Sequence, residues 1–221
     1  MSASHFQTVH LEHLPPNYDL HIALYRNVTN AAFLHSQLLA GNTDFEYALI
    51  DASVILSKVH ILAAAYRAVN DLLENRLRSR NVHSEIVFSL SPNNNIAESF
   101  RRFGITPSTT TLLIIKLSTP TTSFPLSSIA THLSSSIKGE NIPFTDENLA
   151  ETVDEKRVRK IYKLNASHPG GGGGGGGGKN ALNGSGEVNG NGNGNRKVGE
   201  DLRRELEVGV LGAMALRSVT N

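Results

Sequence analysis

The sequence predicts an α+β (mixed α/β) fold: a small mixed sheet of about four strands packed with about six helices in a single domain. Three observations carry this. Segments of period-two alternation are interleaved with segments whose apolar residues recur every three or four positions, the two periods of strand and helix. Their boundaries fall at turn chemistry: Pro15-Pro16-Asn17, Gly41, Ser91-Pro92 and Gly104. Finally, fourteen of the 20 glycines lie between Asn165 and Lys197, nine of them in the run Gly170 to Gly178, so the other 188 residues carry only six and suffice for one ordinary core.

In chain order, Phe6 to Leu11 reads as an edge strand. Asp19 to Tyr25 alternates Leu20, Ile22 and Leu24 against His21 and Ala23, a half-buried strand that forms a hairpin with the first. Thr29 or Asn30 caps a helix with the stripe Ala31, Phe33, Leu34, Leu38 and Leu39, closed by Gly41. Ile55, Val59, Leu62, Tyr66, Val69 and Leu73 define the strongest amphipathic helix, from Ser53 to Asn75. Ala63, Ala64 and Ala65 favour that helix and let a neighbour approach closely. Ser84 to Leu90 alternates again and reads as a strand stopped by Ser91-Pro92. Asn95, with Glu98 three positions on, forms a capping box for a helix through Phe100 and Phe103 that ends at Gly104. Leu112 to Ile115 is a continuous β-prone run, suited to a strand buried on both faces. Ser127 to Ile137 and Asp146 to Tyr162 read as helices. The order is β-β-α-α-β-α-β-α-α-α.

The Gly/Asn-rich segment 165–197 offers nothing to bury and is predicted to be a disordered insertion. Beyond it Leu202, Leu206, Val210, Ala213 and Met214 return to helical spacing, with Leu211 and Leu216 widening the stripe. Such a face must dock. At roughly 5–6 Å times the square root of its length the insert spans about 30 Å, a domain width. The predicted domain is therefore 1–164 together with 198–217, with 218–221 a tail.

Composition excludes several classes. No cysteine means no disulfide scaffold, and the glycines have no triplet period, so collagen is excluded. No apolar run approaches the ~20 residues of a membrane span, and Met1 to Leu11 does not read as a secretory signal. The net charge is +1, so any nucleic-acid contact must be local rather than a bulk basic surface. The nine histidines have no metal-ligand spacing. There is no Gly-x-Ser-x-Gly elbow and no Walker-type Gly-Lys-Ser/Thr. The glycine run matches Gly-x-Gly-x-x-Gly only trivially, because it follows no strand into a helix. Three Asn-x-Ser/Thr triplets, at Asn27, Asn165 and Asn183, read as chance matches. No catalytic, cofactor-binding or metal-binding residue is assigned, and the chain reads as a non-enzyme.

The densest signal is Asn81 to Ile105. Its Ser84-Glu85-Ile86, then Leu90-Ser91-Pro92-Asn93-Asn94-Asn95-Ile96, then Phe103-Gly104-Ile105, resemble the signature of the PRPK-binding protein family, the small kinase-binding subunit of the EKC/KEOPS complex. Asp51 to Ala68 resembles that family's long helix, Lys160 to Leu164 its penultimate helix and Ala213 to Arg217 its last. The poly-Gly insert departs from the pattern and looks like a lineage-specific expansion. The resemblance implies a small mixed sheet surrounded by helices and no catalysis. It also implies direct binding to the complex's small atypical kinase, and through that kinase to the subunit that makes threonylcarbamoyladenosine beside the tRNA anticodon. It implies help in holding the tRNA 3′ end, links to telomere maintenance and transcription, and residence in nucleus and cytoplasm, including telomeric chromatin.

Candidate residues follow. Ser91, Pro92, Asn93, Asn94, Asn95 and Ile96 have a structural reading, a turn that ends one element and caps the next, and a functional one, an exposed partner surface on a rigid scaffold. Arg76, Arg78, Arg80, Arg101 and Arg102 are the candidates for tRNA phosphates, where a single-stranded end also wants an aromatic or Arg platform. The run Lys156 to Lys163 reads first as a solvated, salt-bridged helix face. The alternative is a stand-alone small-molecule-binding regulator or enzyme on an α+β fold, which requires a pocket with converging polar groups and a perturbed titratable group.

Overall fold

The computed structural model describes residues 5–164 and 192–217. Its centre is β2 (Asp19–Arg26), a strand buried along almost its whole length. One edge of β2 pairs in full with β4 (Leu112–Ser118), Ile22 opposite Ile115. The other edge is shared in tandem: β1 (Gln7–His10) covers Asp19 to Ile22, and β5 (Glu140–Ile142) covers Leu24 to Arg26. β3 (Ala48–Asp51) flanks β4. Every one of these pairings is antiparallel, so the sheet has five strands and is not mixed.

Alternation then sorts the side chains into two cores. Leu20, Ile22, Leu24, Leu113, Ile115 and Leu117 face the larger one. It is covered by α2 (Lys58–Leu73), α3 (Val82–Ser89), α4 (Ile96–Phe103), α6 (Asp146–Thr152), α7 (Glu155–Tyr162) and α8 (Gly192–Leu216). Ala23, Tyr25, Leu112 and Ile114 face the smaller core, under α1 (Ala31–Leu39) and α5 (Leu126–Ser136). β4 is buried throughout, as a strand covered on both faces must be.

Four expectations need correction. Ser84 to Leu90 is not a strand but the body of α3. Val82, Ile86, Val87 and Phe88 are all buried, and a short apolar run buried on every side has no readable period. The deciding signal is Asn81, whose side chain accepts from Ser84 N and caps a helix. The long helix starts at Lys58, because Asp51 caps a separate 3-10 turn (Ala52–Val54) and Ser57 then caps α2 through His60 N.

Its buried face is His60, Ile61, Ala64, Ala65, Ala68 and Val69, and the predicted stripe is buried only in part: Ile55 and Val69 lie in the core and Leu62 and Leu73 pack against it, but Val59 is 54% exposed and Tyr66 38%. The alanines let α2 lie close against the core and α3. The 146–162 helix is two helices. Asp154 caps α7 by accepting from Arg157 N, while its own N–H donates to Ser53 O, which breaks the run at Val153. β3 and β5, with four and three residues, were too short to carry a pattern.

The closing helix docks as its spacing predicts, burying Leu206, Val210 and Met214 in the larger core. It begins at Gly192, inside the end of the predicted insertion. Residues 165–191 lie outside the described residues, as does the tail 218–221. In α1 only Ala31 and Leu34 of the predicted stripe are buried. Among the described residues no helix is long and apolar enough to cross a membrane.

Candidate partner and nucleic-acid interfaces

The Ser91–Ile96 turn is held from below by three long-range ties. Tyr162 Oη donates to Leu90 O at 2.5 Å. Leu56 N donates to His60 Nδ1 at 3.3 Å, which leaves His60 Nε2 protonated to donate to Tyr162 Oη at 2.9 Å. Burial holds His60 neutral, pushing its pKa down to about 3, and raises the Tyr162 phenol well above its usual value. Arg217, at the end of α8, lies over the Phe88 ring at 4.1 Å and donates Nη1 to Phe88 O and Ser91 O. A guanidinium thus serves carbonyls at the end of α3, a favourable place for a cation.

Within the turn, Ser91 is fully buried and its Oγ donates to Asn93 Oδ1. Asn93 Oδ1 also accepts from Asn95 N, while Asn95 Oδ1 accepts from Glu98 N. Glu98 does not complete the capping box. Its carboxylate takes Asn93 Nδ2, Arg101 and Arg102 instead. What the turn offers outward is Asn95 and Ile96, with Pro92, Asn93 and Asn94 half-buried.

The structure separates the five candidate arginines. Arg80 and Arg101 line a cleft of about 500 Å³ between the end of α1 and the α3–α4 side, floored by Leu38, Phe45, Phe100 and Ile105. Gly41 sits there at φ +69°, a left-handed position that glycine takes without strain, with Arg80 Nη1 3.2 Å from where a Cβ would be. Glu46 is also in the cleft, and the approach of His83 Nδ1 to its Oε1 at 3.3 Å holds the carboxyl below its usual range. Arg76 and Arg78 belong to a second groove, of about 560 Å³, with Tyr66, Arg67, Asn94 and Arg217. Arg102 lines neither. It pairs with Glu98, donates to Ile161 O at 3.3 Å and ties α4 to α7. In the Lys156–Lys163 run, Arg157 turns inward to Asp51 Oδ2 at 2.8 Å.

A feature the sequence reading missed is the outer face of the α2–α8 pair. Val59 and Tyr66 of α2 and Val208 of α8, the last 65% exposed, leave the core and face solvent. Val59 shares a groove with Arg203, Arg204 and Glu207 of α8, and Tyr66 shares one with Ala215, Arg217 and Asn94. The apolar positions therefore border both ends of the seam, and Asn94 joins the 91–96 turn to the same face. In the sequence Val59 and Tyr66 belong to the 55, 59, 62, 66, 69, 73 spacing, which does not by itself tell that they lie at its solvent edge. Arg217 was legible, since it continues the 210, 214 spacing of an inward stripe.

Among the described residues no group of three or more His, Asp or Glu side chains is placed to hold a metal. The buried His21 is satisfied by Thr8 and Ser118, a structural pairing on the sheet.

Known proteins resemble this chain along most of its length. The family model described as kinase binding protein CGI-121 matches residues 25–218, which include the whole Asn81–Ile105 stretch. A protein of Aspergillus fumigatus named EKC/KEOPS complex subunit cgi121 is 49% identical over 214 residues, covering 97% of both chains. Its namesake in Coccidioides immitis is 46% identical over 214 residues, 97% of this chain and 98% of that one. In Schizosaccharomyces pombe the namesake is 32% identical over 152 residues, 69% and 86% of the two chains. The chain therefore belongs to the kinase binding protein CGI-121 family.

Proposed function

We propose that the chain is a non-catalytic subunit of an EKC/KEOPS complex that docks the complex's atypical kinase on the outer α2–α8 face and, separately, receives a tRNA 3′ end in the Arg80–Arg101 cleft. The observation that carries the first half is the exposure of Val59, Tyr66 and Val208 on two packed helices, in a family described as kinase binding. Exposed apolar side chains on two packed helices suit a protein contact. The 91–96 turn borders that face through Asn94 and extends it.

For the second half, the cleft combines two arginines with an apolar and aromatic floor. Single-stranded ends are held by that combination, phosphates by Arg and bases by stacking. It narrows the five candidates to Arg80 and Arg101. Arg76 and Arg78 face elsewhere, and Arg102 is occupied. Transfer of threonylcarbamoyl to the tRNA then belongs to a different subunit, reached through the kinase.

The test is copurification of tagged full-length chain with the atypical kinase and with tRNA. The Val59→Glu/Val208→Glu double variant should lose the kinase and keep its fold, because both side chains are already in water. The Arg80→Glu/Arg101→Glu variant should keep the kinase and bind tRNA more weakly, with a shallower salt dependence. A folded chain that binds no kinase, or a double variant that retains it, refutes the docking face. Unchanged tRNA affinity and salt slope refute the cleft. The cleft also satisfies the geometric requirement of the small-molecule reading, with Glu46 as its perturbed group. Saturable binding of a metabolite there with no loss of tRNA affinity in the arginine variant would favour that reading.

A further inference from the structure

The groove at the C-terminal end of the α2–α8 seam has a charge balance that the fold does not require. Four guanidinium groups line it, those of Arg67, Arg76, Arg78 and Arg217, with one carboxylate, Asp71. Asp71 lies 3.9 Å from Arg67 and 3.4 Å from Arg76. Behind the groove is Glu85, fully buried, whose Oε2 is taken up by the backbone N–H groups of Arg78 and Ser79 and by Ser79 Oγ. Counting both carboxylates, two positive charges remain uncompensated. Arg78 and Arg217 make no ion pair among the described residues; the Arg78 side chain donates only to Asn94 Oδ1, at 3.1 Å.

Arg217 is the unusual member. It is 2% exposed, lines the groove, and has a buried Nε without a hydrogen-bond partner. Such an orphan is costly unless an acceptor arrives or the group has another use. Burial, and after it the charge of Arg67, lower the Arg217 pKa to about 10; Arg78 adds to this, while Glu85 and Asp71 oppose it. The arginines thus repel one another across a space open to solvent, and an anion in that space would relieve the repulsion.

We propose that this groove binds a terminal phosphate group, inorganic phosphate or the phosphomonoester end of a small molecule such as a nucleotide, through Arg67, Arg78 and Arg217, with Arg76 at the rim. Guanidinium forks match phosphate oxygens in pairs, which a single lysine cannot do. The charge excess suits a dianion. A backbone phosphodiester carries one charge and two bulky substituents, whereas a groove whose floor is a buried guanidinium admits the end of a molecule. Tyr66 at the edge offers a ring against which a base would lie. The inference does not rest on the kinase or tRNA readings above, although Tyr66 and Asn94 belong both to this groove and to the proposed docking face.

The experiment is thermal unfolding of the full chain in increasing inorganic phosphate, AMP or ATP, at constant ionic strength, with chloride as the control anion. A saturable rise in midpoint that chloride does not reproduce is expected, since a ligand that binds only the native state stabilises it. Arg78→Gln should lower the apparent affinity at least tenfold with unchanged circular dichroism, because the Arg78 side chain has no structural partner beyond Asn94. Lys156→Gln, an exposed cation on α7 outside both grooves, should leave it unchanged. Tighter binding of nucleotide than of inorganic phosphate identifies a nucleotide as the source; equal affinity identifies the free anion. The proposal is overturned by a response equal to that in chloride, by undiminished affinity in Arg78→Gln, by an equal loss in Lys156→Gln, or by binding of an RNA oligonucleotide with none of phosphate or nucleotides.

Discussion

His60 lies in the middle of the larger core, fully buried, and accepts Leu56 N–H at one ring nitrogen while donating to Tyr162 from the other. Accepting from Leu56 demands the neutral ring. Burial lowers its pKa from 6.5 to about 3, so between those values the unfolded chain binds a proton that the folded chain refuses. Stability from this residue is therefore fully present above about pH 6.5 and is lost as the pH falls, by about 1.4 kcal/mol per unit. At about pH 5 the loss is about 2 kcal/mol, a substantial part of an ordinary domain's stability. Burial lowers His21 and His83 in the same direction, so the whole protein should lose more than this.

The His60 share is isolated by comparison with His60→Gln, which keeps a donor for Tyr162 and does not titrate. Urea unfolding of both proteins at about pH 7.5 and about pH 5 gives two stability gaps. The variant should be less stable at the higher pH, and the gap should shrink by about 2 kcal/mol at the lower one. An unchanged gap refutes the argument, because it means that folding does not exclude a proton from His60.

Three further outcomes test the packing. Tyr162→Phe leaves Leu90 O and His60 Nε2–H unpaired in the core and should cost about 1–3 kcal/mol in urea unfolding, with kinase binding retained. Gly104→Ala places a Cβ 2.6 Å from the Phe100 carbonyl oxygen at the end of α4 and should cost about 1–3 kcal/mol, whereas Gly212→Ala in α8 meets nothing within 4 Å and should gain up to about 1 kcal/mol from helix propensity. Deleting Gly170 to Gly178 should change stability by less than about 0.5 kcal/mol, since closure entropy varies logarithmically with length, while Leu206→Ala in the closing helix should cost about 2–5 kcal/mol.

The parts of the fold legible in the sequence are those whose pattern is local and long. β2 alternates over eight residues, β4 is seven buried residues in a row, and α8 keeps its inward spacing from Leu206 to Arg217. What was hidden depends on neighbours. β3 and β5 are short because each needs only to extend a ladder already set by β2 and β4. α3 is buried on all sides, so its apolar run carries no preference between periods, and only the Asn81 cap decides. The candidate site follows the same division. The caps of the 91–96 turn follow from residue type and spacing. The partition of the arginines does not, because it is set by which groove each connecting segment happens to border.

This division bears on where function resides. The densest motif, Ser91 to Ile96, spends most of its side chains on itself: Ser91 is buried, Asn93 and Asn95 each accept from nearby backbone N–H groups, and Arg217 fastens the turn from beneath. A motif of this kind specifies a shape more than a contact. The surface best suited to a partner is instead built from common residues, Val59, Tyr66 and Val208, whose importance lies only in being outside. On α2 Val59 and Tyr66 face water although they share the apolar spacing, while Ile61 and Val69 are buried together with Ala64, Ala65 and Ala68. The buried alanines let the helix lie close to the core, and Val59 and Tyr66 stand at its outer edge. Apolar residues of a helix stripe that stay outside the core are therefore best read as facing a neighbour outside the fold.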